Sequence, residues 1–177
     1  MADNHATPRG IDKMAIRAAA SNLADGPVTA GYKGDRTAVV RMLNEALATE
    51  LVCINRYKRH HYTVTGLAYA GIKAEFLAHA NEEQQHADWL AERIVQLNGE
   101  PDFNPATLLD RSHAEYDDSR EVQAMVRANL VAERVAIESY RQMIEAIGDS
   151  DPTTKQLLTQ IMAVEEEHAD DMRDLLA

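Results

Sequence analysis

Two short stretches of this 177-residue chain carry residue types at the spacing of metal ligands: Glu83-Gln84-Gln85-His86 and Glu165-Glu166-Glu167-His168. Residues three apart share a helix face, so each Glu-x-x-His aims a carboxylate and an imidazole at one point. A single such unit arises often by chance. Here each is preceded by another Glu in an apolar stripe: Glu50 leads Glu83 by 33 residues, and Glu133 leads Glu165 by 32. The result is an internal repeat, an inward Glu on one helix and Glu-x-x-His on the next, made twice. Four carboxylates brought together in an interior cannot all stay ionised without counter-charge, because desolvation and mutual repulsion each cost about several kcal/mol. A pair of divalent cations would balance them. Oxygen-rich donors with one imidazole per metal suit iron or manganese better than copper or a structural zinc.

Long helices must position these groups. In the first, Leu43, Leu47, Glu50, Ile54 and Tyr57 form one stripe. In the second the stripe is Phe76, Glu83, His86, Leu90 and Leu97. In the third it is Val126, Leu130, Glu133, Ile137 and Tyr140, and in the fourth Leu158, Ile161, Glu165, His168 and Met172. Helical periodicity begins at Thr37 and breaks at Gly66. The second run stops at Gly99 with Pro101 just beyond. The third starts at Asp118, where Asp118 and Glu121 fit a capping box, and stops at Gly148. The fourth opens on Asp151-Pro152, an N-cap followed by proline in the first turn, and runs to the C-terminus. Each helix spans about 25 to 32 residues, roughly 40 Å or more. No stretch alternates with period two. The pattern predicts an all-α four-helix bundle over residues 37–177. Short links make antiparallel hairpins of helices one and two and of three and four. The longer Gly99–Asp117 link predicts a crossover that lets helices two and three run parallel, with one helical turn near Asn104-Pro105. Residues 1–36, broken by Pro8, Gly10, Gly26 and Pro27, read as an N-terminal tail with a short alanine-rich helix between Asp12 and Leu23.

Composition narrows the function. Lys and Arg number 18 against 29 Asp and Glu, a formal charge of -11. Such a surface repels nucleic acid and anionic lipid and attracts cations. The tail, with five basic and four acidic residues, adds no strong basic patch. Cys53 is the one cysteine, which excludes an internal disulfide framework and any four-cysteine metal site. No apolar run approaches the roughly 18 to 20 residues needed to cross a bilayer, and Met1–Gly10 lacks the apolar segment of a secretory signal. A soluble cytoplasmic protein is expected, without DNA or membrane partners.

From Leu43 to His168 the sequence resembles the ferritin-like superfamily, and within it the bacterioferritin-type ferroxidase centre. The resemblance covers all six ligand positions. It implies that Glu50 and His86 are terminal ligands of one metal, Glu133 and His168 of the other, and that Glu83 and Glu165 bridge the two. Tyr57, two turns after Glu50, matches the family's tyrosine beside the ligands and is the expected catalytic side chain. Departures narrow the subfamily. Bacterioferritins place a haem-ligating methionine directly after the Glu of the first Glu-x-x-His; here stands Gln84, so haem is not expected. Only nine residues follow His168, which leaves no room for the fifth helix of 24-subunit shells. The segments Phe76–Glu83 and Ala132–Ile137 resemble the Dps-like mini-ferritins with bacterioferritin-type sites, which form twelve-subunit shells. Many of these have a cysteine pair near the site; here Val135 occupies one place and Ser112-His113 lies near the other, so thiol-linked chemistry is not expected.

The resemblance implies a ferroxidase that binds two iron ions per subunit, with manganese or zinc able to replace them. It would oxidise Fe(II) with O2 or H2O2 and store Fe(III) in a homo-dodecamer. A di-iron or di-manganese peroxidase, catalase or oxygenase shares every ligand and is the alternative reading. Around the core set, Tyr140 occupies on the third helix the place Tyr57 has on the first. His79, four residues before Glu83, reads as a satisfied core or surface histidine, with an extra metal site near an entry path as the other reading. His60 and His61 read as solvated or interface residues, Trp89 as packing and Cys53 as a small apolar filler. Met125, Met143, Met162 and Met172 read as core, and Glu165–Asp174 as mostly solvated.

Overall fold

Capping side chains start three of the helices in the computed structural model, which describes residues 10–177. Asp12 accepts from the backbone N–H groups of Met14 and Ala15 and opens α1 (Lys13–Ala19). Asp35 accepts from Ala38 N and opens α2 (Arg36–Thr63). Asp151 accepts from Thr154 N, with Pro152 at the first helical position, and opens α6 (Pro152–Asp174). Each aspartate satisfies amides that a helix start leaves unpaired. Between them lie α3 (Ala70–Gln96), the one-turn α4 (Leu108–Arg111) and α5 (Val122–Ile147). Among the described residues there is no strand. The breaks expected at Pro8 and the reading of the first nine residues lie outside the described residues.

The helix boundaries correct the sequence reading in two places. Helix α3 ends in a left-handed residue at Asn98 (φ 61°), not at Gly99. Asn98 N donates to Val95 O and Gly99 N to Ile94 O, both at 2.9 Å, the paired closing bonds of a helix stop. Helix α5 begins at Val122 with Glu121 as an uncapped N-cap residue, so the Asp118–Glu121 capping box does not form. Asp117 is the reason: its carboxylate accepts from Ser119 N and Ser119 Oγ at 3.0 and 2.9 Å and holds this stretch in a turn. Arg59 adds bonds to the carbonyls of Asp118 and Ser119, both at 2.7 Å.

Cross-helix pairs give the topology. Glu50 meets His86 and His61 meets Lys73, so α2 and α3 are antiparallel. Arg56 meets Asn129 and Tyr140 meets Glu50, so α2 and α5 are antiparallel too. Helices α3 and α5 therefore run parallel, as the long crossover requires. That crossover climbs along α2: Asn44 holds Glu100 O and Asp102 N, Thr49 Oγ1 accepts from His113 N, and Arg56 donates to Glu115 O. The helical turn expected at Asn104-Pro105 comes slightly later, at Leu108–Arg111.

Most of the four stripes are buried as expected. On α5 the buried edge is rotated: Asn129, Ala132 and Ala136 face inward beside Glu133, while Leu130 and Ile137 are half-buried. The apolar core has two main parts. One joins Leu43, Leu47, Leu90, Ile94, Leu158 and Ile161; the other joins Tyr57, Phe76, Met125, Val126 and Met172. Each fully buried side chain of this size contributes about 1.5–3 kcal/mol. The inward Glu and His residues lie between the two parts and are buried. No described helix is long and apolar enough to cross a membrane.

Candidate metal centre

All six expected ligand residues come together between these apolar layers. Glu50, Glu83, Glu133 and Glu165 are each at most 1% exposed, and His86 and His168 are 2% exposed. The nitrogen facing the centre is Nδ1 in both histidines. His86 Nδ1 lies 2.8 Å from Glu165 Oε1, 3.4 Å from Glu83 Oε2 and 3.5 Å from Glu50 Oε2. His168 Nδ1 lies 3.7 Å from Glu83 Oε1 and 3.6 Å from Glu165 Oε2. Glu83 and Glu165 thus each turn one oxygen to each imidazole. Two ligand groups result, Glu50-Glu83-His86-Glu165 and Glu83-Glu133-Glu165-His168, with Glu83 and Glu165 in both.

The donor set fits a cation pair. Eight buried polar atoms of this cluster have no hydrogen-bond partner: Glu50 Oε2, both oxygens of Glu83 and of Glu165, Glu133 Oε2, and Nδ1 of His86 and His168. Buried polar atoms are rarely left unpaired, since each costs about 1–3 kcal/mol. Here they face one another across a common space, as ligand lone pairs do around metal.

Electrostatics agree. Burial, then repulsion from Glu83, pushes Glu50 up to about 8. Burial and the Glu83 and Glu165 charges hold Glu133 well above the carboxylate range. For His86 and His168 burial opposes the charge, but the surrounding carboxylates outweigh it and raise both to about 12. Glu83 and Glu165 are lowered despite their burial: Glu50 and then the two facing imidazoles favour the charged form of Glu83, and the imidazoles favour that of Glu165. Metal-free, the cluster stays neutral only by holding extra protons, and cations would displace those protons.

The surrounding side chains orient the candidate ligands. Tyr57 donates to Glu133 and Tyr140 donates to Glu50. His168 Nε2 bonds Glu82 Oε2 at 2.7 Å, which fixes the ring with Nδ1 inward. Glu82 went unnoticed in the sequence, although it directly precedes Glu83 and its role follows from the other face of His168. Arg56 was also missed. It is buried on Asn129 Oδ1 at 2.8 Å, Glu115 O at 3.1 Å and Cys53 Sγ at 3.4 Å.

Several lesser expectations change. His60 is not solvated: it is fully buried, and its Nε2 lies 3.2 Å from Asp117. His61 is half-buried on Lys73 O. His79 is buried, with its Nδ1 3.2 Å from Tyr57 Oη. Trp89 is half-buried against the core, 5.7 Å from the His86 ring. Cys53 packs on Ala114 and Ala132, and burial pushes its thiol up. Val135 and His113 line the same groove. Gln84, at the haem-ligand position, donates to Asp88 at 3.0 Å.

Residues 40–177 match the ferritin-like domain family. This chain belongs to that family. A bacterioferritin of Desulfovibrio desulfuricans is 30% identical over 141 residues, covering 78% of this chain and 75% of that protein. A solved structure of a bacterioferritin from the same species, described by its diiron site in different catalytic states, superposes with TM-score 0.71 at 26% identity, covering 81% of this chain and 82% of that one. The dodecameric thioferritin of Bacteroides fragilis, a bacterioferritin-related protein, superposes with TM-score 0.78 at 32% identity, covering 81% and 87%. A nutrient stress-induced DNA-binding protein of Synechococcus is 29% identical over 140 residues, covering 76% of this chain and 78% of that protein.

Proposed function

We propose that this ferritin-like protein is a ferroxidase with a di-iron site inside each subunit, and that it stores the oxidised iron in a shell of twelve subunits. The observation that carries the reading is the convergence of eight buried, unpaired donor atoms on one another, shared by Glu50, Glu83, His86, Glu133, Glu165 and His168. Four carboxylates and two imidazoles suit two Fe(II) ions as substrate. Two irons held side by side give up one electron each to the same oxidant. O2 is then reduced to H2O2, or H2O2 to water, without release of a one-electron oxygen radical.

The chain's own residues bind and orient. Glu83 and Glu165 hold both irons; Glu50 with His86, and Glu133 with His168, complete one each. Tyr57 keeps Glu133 in place through its hydroxyl and carries a proton at the edge of the reacting space. The storage part of the reading draws on the likeness to the dodecameric thioferritin. The excess of acidic residues disfavours DNA as a partner.

The test is rapid-mixing oxidation of Fe(II) by Glu50→Ala and His168→Ala. Both should lose fast oxidation while helical circular dichroism stays that of wild type. Wild-type rates in either variant would overturn the ferroxidase reading. Solution mass and ferric loading test the shell: a twelve-fold mass with bound mineral supports storage. A monomer or dimer turning over an organic substrate would instead support the enzyme alternative.

A further inference from the structure

Beside the di-metal cluster, a second set of ligating side chains converges on His79. This residue lies on α3 one turn before Glu83 and is 2% exposed. Its Nδ1 is 3.2 Å from Tyr57 Oη. When Tyr57 donates its hydroxyl proton to Glu133, the tyrosine oxygen is left to accept from His79. In the tautomer that donates to Tyr57 through Nδ1, Nε2 keeps its lone pair. That lone pair faces Glu75 Oε1 at 3.3 Å and Asp171 Oδ2 at 3.4 Å. These distances exceed the roughly 2.7–2.9 Å of a charge-assisted hydrogen bond. The three atoms come from two helices and lie within reach of one point, where a cation would offset the two carboxylate charges. One nitrogen and two carboxylate oxygens form a donor set for a first-row divalent ion. Glu75 and Asp171 side chains are 40% and 54% exposed, so the point opens to solvent.

From this point a continuous series of donors leads inward. The His79 ring stacks on the His168 ring with centroids 4.0 Å apart. His79, Glu82 and His168 form the next ligating group, and His168 belongs in turn to the di-metal cluster. Successive groups share one residue each, His79 and then His168. We propose that Glu75, His79 and Asp171 form a third divalent-cation site at the protein surface, from which cations pass by way of Glu82 to the buried pair of sites. The binding half of this proposal stands on the geometry alone; the delivery half rests on the ferroxidase reading.

Cobalt(II) is the probe, used on the full-length protein. Equilibrium dialysis with anomalous scattering from cobalt-soaked crystals should find three ions per chain, the outermost at His79 Nε2. The double variant Glu75→Gln/Asp171→Asn preserves side-chain shape and should keep the inner pair and lose the outer ion. At limiting iron its Fe(II) oxidation should slow by roughly tenfold, the low end of what electrostatic steering supplies. Absence of cobalt at His79 in wild type, or an outer ion retained in the double variant, overturns the site. Equal oxidation rates in the two proteins overturn delivery. Three bound ions in a wild type that does not oxidise iron would sink the ferroxidase reading and leave the outer site standing.

Discussion

Tyr140 on α5 donates its hydroxyl proton to Glu50 on α2. The relation is reciprocal, since Tyr57 on α2 donates to Glu133 on α5. On both helices the tyrosine follows the glutamate by seven residues, two turns along the same face. Each helix therefore brings one inward carboxylate and the hydroxyl that steadies the other helix's carboxylate. The repeat visible in the ligands extends to the residues that orient them.

Removing either hydroxyl should loosen a carboxylate without unfolding the bundle. Tyr140→Phe and Tyr57→Phe are each expected to cost about 1 kcal/mol of stability and to weaken divalent-metal binding by about 10- to 100-fold. Tyr57→Phe should be the more damaging, because Tyr57 Oη also bonds His79 Nδ1. Calorimetric titration with Co(II) checks both. Wild-type affinity in the Tyr140 variant would show that the hydroxyl does not position Glu50.

The pH dependence of metal binding follows from the raised values in the cluster. Glu50 at about 8, with His86 and His168 at about 12, hold protons at neutral pH that two cations must displace. Metal affinity should therefore rise with pH. The metal-free protein behaves oppositely. Glu50 binds its proton more tightly folded than unfolded, so its contribution is fully present below 4.5 and is lost as pH rises through about 8. The gap in Tm between Mn(II)-loaded and chelator-treated protein should widen from about pH 6 to pH 8. Scanning calorimetry at the two pH values decides it; a gap that narrows contradicts the proton displacement.

What the sequence made legible and what it hid have a common physical cause. The ligand stripes and the parallel course of α3 and α5 were readable because helical periodicity and link length are local. The partners of the ligands were not. Glu82 reaches His168 across 86 positions, and Asp171 reaches His79 from another helix. Such pairings depend on how far each helix is rotated about its axis. That rotation also separates Leu130 and Ile137 from the fully buried edge of α5. The start of α5 was misplaced because the Asp117–Ser119 turn competes locally with the capping box, and Arg59 from α2 reinforces that turn.

Asp151 joins three parts of the fold and should be the costliest single polar residue to lose outside the metal cluster. It caps α6 through Thr154 N at 2.9 Å, pairs with Arg93 Nη2 at 3.0 Å and accepts from Tyr32 Oη at 3.0 Å. Asp151→Ala strands the Arg93 charge at the end of the bundle and should cost about 3–5 kcal/mol. Tyr32→Phe removes one hydrogen bond and should cost about 1 kcal/mol. Burial works against its charge, but the Thr154 and Tyr32 bonds lower the Asp151 carboxyl. Its contribution is therefore present above 3.8 and lost as pH falls below it. Urea melts of chelator-treated protein give the three values. Equal losses in the two variants would mean that Arg93 does not depend on Asp151.

Gly99 is required for close approach, not for backbone freedom. The left-handed position at this helix stop belongs to Asn98. A Cβ on Gly99 would lie 2.6 Å from Val40 Cγ1, 2.8 Å from Val40 Cγ2 and 3.1 Å from Ile94 Cγ2. Gly99→Ala should therefore cost about 1–3 kcal/mol by overpacking. Val40→Ala removes the obstructing methyl groups, so the double variant should recover part of that loss, with an interaction energy of about 0.5–3 kcal/mol. Asn98→Gly, by contrast, should be near neutral, since glycine accepts a positive φ without strain. Denaturant melts of the four proteins separate the two causes. Additive losses for Gly99→Ala and Val40→Ala, or a large loss for Asn98→Gly, would place the constraint in the backbone of the turn and not in the contact between α3's end and α2.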